Sequence, residues 1–294
     1  MEMKRKKPMN LVLLENLKCR NALPPEHNWY LADLERGFKY ECLVDDIIES
    51  IGASWKMIRG FSYYPLFEEK FQLDLLLTTR TEIIVNEIKG YRTDIYFDEN
   101  GVIRNSNDTI IDDPLDQVEK ATKKLQKLLN RLNIDLKISY NVIIATEGAT
   151  IYGLPKDKPI ILHHQIKEHF TKLASKIAPP TESVVRQVNK LLKYNNDKSH
   201  RWPDMPIYSF NGMEKGLYFN CCGKSVPPFE KYSKKVTCHD CGMDYTILDL
   251  ARKELNDYRF LFNETPSIPR LSEWIGHRIA LKNLYRWKSK NMLN

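Results

Sequence analysis

The apolar positions of the chain follow two rhythms. Dense runs rich in leucine and β-branched residues occupy 73–77, 83–88, 137–146 and 160–162, each of strand length. Elsewhere apolar residues recur at helical spacing. Leu11, Leu14, Leu17, Leu31 and Leu34 mark 10–35, broken at Pro24-Pro25, and Leu43, Ile47 and Ile48 mark 35–51, with Gly52 as its stop. Leu115, Val118, Leu125, Leu128, Leu129 and Leu132 mark a long helix opened by Pro114, with Asp113 before it as N-cap. Residues 55–67, 91–97 and 102–104 predict further strands, with a turn over Asp98-Glu99-Asn100-Gly101. Helices are expected over 165–177 and 181–194, divided by Ala178-Pro179-Pro180. A strand, a long helix and a returning strand form a crossover, so 35–150 reads as αβββαβ on a mixed α/β sheet.

The stretch that organises this pattern is 71–91, FQLDLLLTTRTEIIVNEIKGY. Its two apolar runs and polar separator predict an antiparallel hairpin. Asp74, Glu87 and Lys89 interrupt the runs, and an isolated charge in a buried strand is costly unless it pairs or binds a metal. Glu87 and Lys89, two apart, share a face. An even-numbered loop centred on Arg80-Thr81 puts Asp74 opposite Glu87 on that face, whereas an odd one slips the register. Two converging carboxylates repel, and Mg²⁺ between them resolves the conflict. Such an ion polarises a phosphodiester, with Lys89 placed to position water or neutralise developing charge. The plain alternative is a structural salt bridge at a sheet end.

Asp74 followed by Glu87-Ile88-Lys89 resembles the D…ExK core of the PD-(D/E)xK nuclease superfamily. More narrowly, the chain is similar to the nuclease-related domain (NERD) family of bacterial proteins. In that family a GxxGE helix precedes a QIDH…ExKN hairpin. Here Gly37-Phe38-Lys39-Tyr40-Glu41 stands for the first element, with Tyr40 in place of the second glycine. Phe71-Gln72-Leu73-Asp74 and Glu87-Ile88-Lys89-Gly90 stand for the second. The resemblance covers residues 35–146 and implies a restriction-endonuclease-like core. It also implies that Glu41 completes the metal site and that Gln117 supports the site or touches the nucleic-acid backbone. Taken alone, Glu41 reads as a solvated surface acid.

The cysteines change the picture of the second half. Six thiols in a chain of this length argue for metal binding or free thiols over disulfides. Cys238-His239-Asp240-Cys241-Gly242 has the form of a zinc knuckle. Similar family members carry CPxCG at both ends of a zinc ribbon, but here Phe219 stands where the first knuckle needs cysteine. Zinc then requires Cys221 and Cys222 together with Cys238 and Cys241, or a ligand from elsewhere, or the site is incomplete. A ribbon held only by Tyr218, Phe229, Val236 and Tyr245 is the competing reading.

Charge points to a partner. The net charge is +7, and the last thirty residues hold six Lys or Arg against Glu273 alone. Helices are expected from 248 to 262, from Ser267 to Gly276 and from 277 to 290. The last of them, basic and aromatic, gives a helix-turn-helix-like unit with Arg278, Lys282, Arg286, Lys288 and Lys290 as nucleic-acid contacts. No apolar run approaches the ~18–20 residues of a membrane span. The apolar part of the N-terminus, 11–14, is too short for a signal peptide, so the cytoplasm is expected. The histidines His163, His164 and His169 have poor spacing for one ion and are read as structural or exposed.

The expected organisation is a helical extension (1–34), a nuclease-related domain (35–163), a helical linker (164–197), a degenerate zinc-ribbon-like segment (213–246) and a C-terminal helical domain (247–294). The expected function is metal-dependent hydrolysis of DNA with Mg²⁺ or Mn²⁺ and structural Zn²⁺, DNA being favoured over RNA by analogy with the family. The alternatives are an inactive nucleic-acid-binding protein on a nuclease scaffold, or an interaction scaffold.

Overall fold

The computed structural model describes residues 4–65, 69–99, 102–154, 157–230 and 233–293. In chain order the elements begin with α1 (Met9–Cys19), α2 (Asn28–Glu49), β1 (Lys56–Tyr63), β2 (Phe71–Thr78) and β3 (Glu82–Lys89). Short strands β4 (Ile95–Phe97), β5 (Ile103–Asn105) and β6 (Ile110–Ile111) precede α3 (Pro114–Arg131), β7 (Lys137–Ile144), β8 (Ile151–Tyr152) and β9 (Ile160–Leu162). Then come α4 (Ile166–Lys176), α5 (Glu182–Leu192), β10 (Lys235–Thr237), β11 (Asp244–Thr246), α6 (Ile247–Phe262), α7 (Ile268–Trp274) and α8 (Leu281–Ser289). The chain divides into two compact units, one of residues 1–9 and 32–199, the other of 10–31 and 200–294.

The first unit is built on a mixed five-stranded sheet in the order β1-β2-β3-β7-β9. β1, β2 and β3 are antiparallel neighbours, and β3, β7 and β9 run parallel. The hairpin takes the register of the even-numbered loop: Leu75 pairs with Asn86 and Thr78 with Ile83, and the ladder stops one pair short of Asp74 and Glu87. The α3 crossover from β3 to β7 gives the expected αβββαβ order. Its start is fixed by Asp113, whose side chain accepts from Leu115 N at 2.8 Å, and by Pro114 in the first turn.

Each sheet face buries a separate apolar layer. On one, Val118, Leu125, Leu128 and Leu129 of α3 and Val184, Val188 and Leu191 of α5 cover Ile83, Val85 and Val142. On the other, Val44 and Ile48 of α2 and Ile166 and Phe170 of the α4 helix cover Leu75, Leu77, Ile84 and Ile143. Each fully buried side chain of this kind contributes roughly 1.5–3 kcal/mol.

Three expectations are corrected. The helices expected over 10–35 and 35–51 are instead α1 and one continuous α2 that starts at Asn28. α1 closes at Cys19 with Asn21 in a left-handed backbone, Pro24-Pro25 lie in the connection that follows, and α2 runs through position 35 without a break. The buried stripe of α2 is carried by Val44 and Ile48, with Leu43 and Ile47 only partly covered. The strand over 91–97 shortens to β4 and joins a separate sheet, β6-β5-β4-β8. Of the turn that follows, Asn100 and Gly101 lie outside the described residues, as do 66–68 at the end of the strand expected over 55–67. Asp98 still closes onto Val102, whose N donates to the Asp98 side chain at 2.9 Å.

Tyr40, the departure from the family's glycine, has a steric partner. A Cβ at Gly90 would lie 2.0 Å from Tyr40 Cδ2, inside any tolerable contact. Gly90→Ala should therefore cost about 1–3 kcal/mol by overpacking. In urea unfolding, the Tyr40→Ala/Gly90→Ala pair should lose less than the sum of the single losses, whereas strictly additive losses would show that the two positions do not share space.

Candidate active site in the first unit

Asp74 sits where the sheet opens. The β1–β2 ladder pairs Arg59 with Leu75 and Phe61 with Leu73 but skips Gly60 and Asp74, and the β2–β3 ladder ends at Leu75–Asn86. Gly60 has φ +69, a backbone that disfavours any side chain and breaks the pairing beside Asp74. In the gap so formed, the Asp74 carboxylate accepts from Ile88 N at 2.8 Å, replacing a strand contact with a side-chain one. Glu87 and Lys89 follow on β3. Lys89 Nζ lies 2.7 Å from Glu87 Oε1 and donates to Gln117 Oε1 of α3 at 2.6 Å. Four of the expected residues thus converge: Asp74, Glu87, Lys89 and Gln117.

The fifth, Glu41 on α2, faces the same cluster but is already engaged. Arg5 Nη1 donates to Glu41 Oε2 at 2.7 Å, and Arg5 also binds Asp45. Arg5 and Asp45 are site residues that the sequence analysis missed. Asp45 had a signal: it stands one turn after Glu41, between the buried Val44 and Ile48, so it is an acid on an apolar face. Arg5 had none beyond its basic run, because its partners lie thirty-six and forty residues away.

The electrostatics follow from burial of like charges. Burial pushes Glu41 up to about 8, the charge of Asp74 adds to this, and Arg5 opposes it. Burial likewise lifts Glu87 to about 7, helped by Asp74 and opposed by Lys89. Asp74 is raised above the usual carboxylate range by burial, against the pull of Lys89 and the Ile88 N–H. Burial works against the Lys89 ammonium, but Glu87 and Asp74 outweigh it and hold its pKa above the ordinary value. Lys89 and Glu87 keep 25% and 14% of their side chains accessible, so a small ion or a phosphate oxygen can reach them. The donors are all carboxylate oxygens, the hard ligands that suit Mg²⁺ or Mn²⁺, and burial is the main cause of their raised proton affinities.

Residues 36–145 match the family model of the nuclease-related domain, NERD. This stretch is a nuclease-related domain. The match contains every residue of the converging set except Arg5. Comparison with curated proteins and with solved structures returns no match.

Outside the nuclease-related domain, the cysteines form a second cluster. The ligand atoms of Cys221, Cys222 and Cys238 lie within 4.8 Å of one another, with Cys222 Sγ 3.6 Å from Cys238 Sγ. The Cys241 thiol interacts with those of Cys221 and Cys238. Two hairpin turns of the same design bring them together. Phe219 N donates to Lys224 O and Gly223 N to Phe219 O; Cys238 N donates to Met243 O and Gly242 N to Cys238 O. Gly223 and Gly242 both take a left-handed backbone, φ +68 and +69. Phe219 therefore occupies the place of Cys238, Cys222 that of Cys241, and Cys221 that of Asp240. The ring of Phe219 is buried, 5.5 Å from that of Tyr245, while Cys221 supplies a thiol from a neighbouring position of the same turn. The backbone N–H of Cys241, with that of Asp240 and against some burial, draws Cys238 down to about 7, a poise toward thiolate.

Of the basic C-terminal residues, Lys282, Arg286 and Lys288 lie exposed on α8 and Lys290 is exposed at its end. Arg278 lies ahead of α8 and donates to the carbonyls of Val226 and Pro227 at 3.1 and 2.7 Å. His163 is tied to Ala145 O at 2.8 Å and to Glu147 at 3.0 Å. Among the described residues no helix is long and apolar enough to cross a membrane.

The raised carboxyls set a pH dependence. Their folded pKa values lie above the ordinary 4.5, so the native state holds protons that the unfolded chain has lost. Stability should fall as pH rises from about 4.5 through about 7 for Glu87 and about 8 for Glu41. Without added Mg²⁺ or Mn²⁺, urea unfolding at pH 5, 6.5 and 8 should show a loss of a few kcal/mol at most. Glu41→Gln should flatten that slope and added Mn²⁺ should offset it; equal slopes in both proteins would refute the assignment.

Proposed function

We propose that this protein is a metal-dependent nuclease that hydrolyses phosphodiester bonds of DNA and grips its substrate through the C-terminal unit. The observation that carries the reading is the convergence of Asp74, Glu87 and Lys89 at the opening of the β2–β3 pair, within a nuclease-related domain. Asp74 and Glu87 would hold Mg²⁺ or Mn²⁺, which supplies Lewis-acid polarisation of the phosphodiester and an acidified water.

The remaining roles belong to the chain. Because its carboxylate neighbours keep Lys89 protonated, the ammonium acts as a donor and not as a base. It orients water or stabilises the charge that builds on the phosphate oxygens, where a fixed cation in a poorly solvated site is effective. Gln117 accepts from Lys89 and fixes the direction of the ammonium, so its role is positioning. The Ile88 N–H anchors Asp74 so that its carboxylate does not turn toward β1.

In the second unit, Cys221, Cys222, Cys238 and Cys241 would bind one structural Zn²⁺: the first three thiols lie within 4.8 Å of one another, Cys241 interacts with Cys221 and Cys238, and Cys238 is already poised toward thiolate. The α7–α8 pair, joined by a turn with Gly276 at φ +64, serves as a helix-turn-helix-like unit. The exposed Lys282, Arg286, Lys288 and Lys290 would meet phosphates, and binding should weaken steeply with salt.

Two measurements test the reading. Plasmid and linear DNA should be cleaved with Mg²⁺ or Mn²⁺, and Glu87→Ala and Lys89→Ala should each lose roughly a hundredfold or more in rate. Equal cleavage by all three proteins would assign the activity elsewhere, and intact DNA that is still bound would favour a binding protein on a nuclease scaffold. Elemental analysis should find one zinc per chain, lost in Cys238→Ser and in Cys221→Ser. Retention of zinc in Cys221→Ser would remove that thiol from the ligand set.

A further inference from the structure

The acidic cluster carries its own cation. Arg5 has a side chain only 3% exposed, although it belongs to the basic run 4–7. Its Nε and Nη2 donate to the two oxygens of Asp45 at 2.8 and 2.9 Å, and its Nη1 donates to Glu41 at 2.7 Å. A bidentate fork plus a third charged hydrogen bond is the arrangement that arginine, unlike lysine, can make with its planar group. Asp45 also has Arg59 Nε at 3.4 Å. These contacts decide where a metal can go. An ion that sought Glu41 would meet a guanidinium already on its Oε2 and would compete with a like charge.

We infer that the site takes a single divalent ion, held by Asp74 and Glu87, and that Arg5 stands permanently in place of a second, keeping Glu41 and Asp45 out of the ligand set. The inference rests on the reading of Asp74 and Glu87 as metal ligands. A second cation beside Glu41 would sit against the Arg5 guanidinium among poorly hydrated groups, an arrangement that burial penalises. Arg5 touches Glu41 and Asp45 and not the reacting atoms, so it is a positioning residue, and its signature is metal stoichiometry.

The test is Mn²⁺ titration of the full chain, zinc retained, by calorimetry and by the electron paramagnetic resonance of free Mn²⁺. The wild type should bind one Mn²⁺. Glu41→Gln should keep that ion with affinity within about threefold, and Asp74→Asn should lose it. Arg5→Met should bind two, the second disappearing when Glu41→Gln is added, and Arg5→Lys should return to one. Two ions on the wild type, or loss of the ion in Glu41→Gln, would overturn the inference while leaving the metal site standing. No Mn²⁺ on the wild type would overturn the metal site itself. If near-ultraviolet circular dichroism shows that Arg5→Met does not fold, the wild-type and Glu41→Gln titrations decide.

Discussion

Burial of like charges at the break in the central sheet is the constraint to which the first unit is fitted. Asp74, Glu87 and Glu41 each hold protons more tightly than an ordinary carboxyl because burial disfavours their ionised forms. The surrounding structure is a series of local answers to that cost. Gly60 breaks the β1 ladder and opens space beside Asp74, the Ile88 N–H caps the carboxylate, and Gln117 holds Lys89 over Glu87. Arg5 reaches in from the start of the chain to satisfy Glu41 and Asp45. Removing any one of these partners leaves a buried charge with less compensation, which is more costly than never having buried it.

Much of this was legible in the sequence because it is local. The period-two pattern and an even-numbered loop give the observed β2–β3 register, which brings Asp74 and Glu87 to the end of the paired stretch. The capped start of α3 placed Gln117 within reach of Lys89. What escaped is long-range or depends on shape. Arg5 meets partners far along the chain, and no pattern in its own segment announces them. The continuity of α2 through position 35 was hidden because the apolar stripe changes face there. The transfer of β4 to a second sheet depends on its pairing with β8, more than fifty residues later.

The cysteine hairpins show a different kind of hidden information. By spacing alone, Phe219 is a missing ligand. By hydrogen bonding it is the counterpart of Cys238 in a repeated turn, and its ring has become part of the local packing. The thiol two positions later, that of Cys221, lies within 4.8 Å of those of Cys222 and Cys238. The two turns share a backbone design but not the positions of their sulfurs. Spacing rules cannot detect this, because they assume that each knuckle uses the same two positions.

The second unit is also interrupted in sequence. Arg20, from the residues that precede the nuclease-related domain, lies 3.5 Å from the centre of the Trp274 ring, pairs with the buried Glu254 and donates to Glu214 O. Without it, Glu254 would lose its closest cation in a core that water does not reach. The nuclease-related domain thus lies between the two sequence pieces of the second unit. Closing that unit requires the ends of a long intervening chain to meet, an entropic cost that falls once the inserted domain has become compact. The order of synthesis therefore favours a first unit that is already formed when residues 200–294 emerge, with residues 10–31 waiting, amphipathic and incomplete, for the segment that buries them.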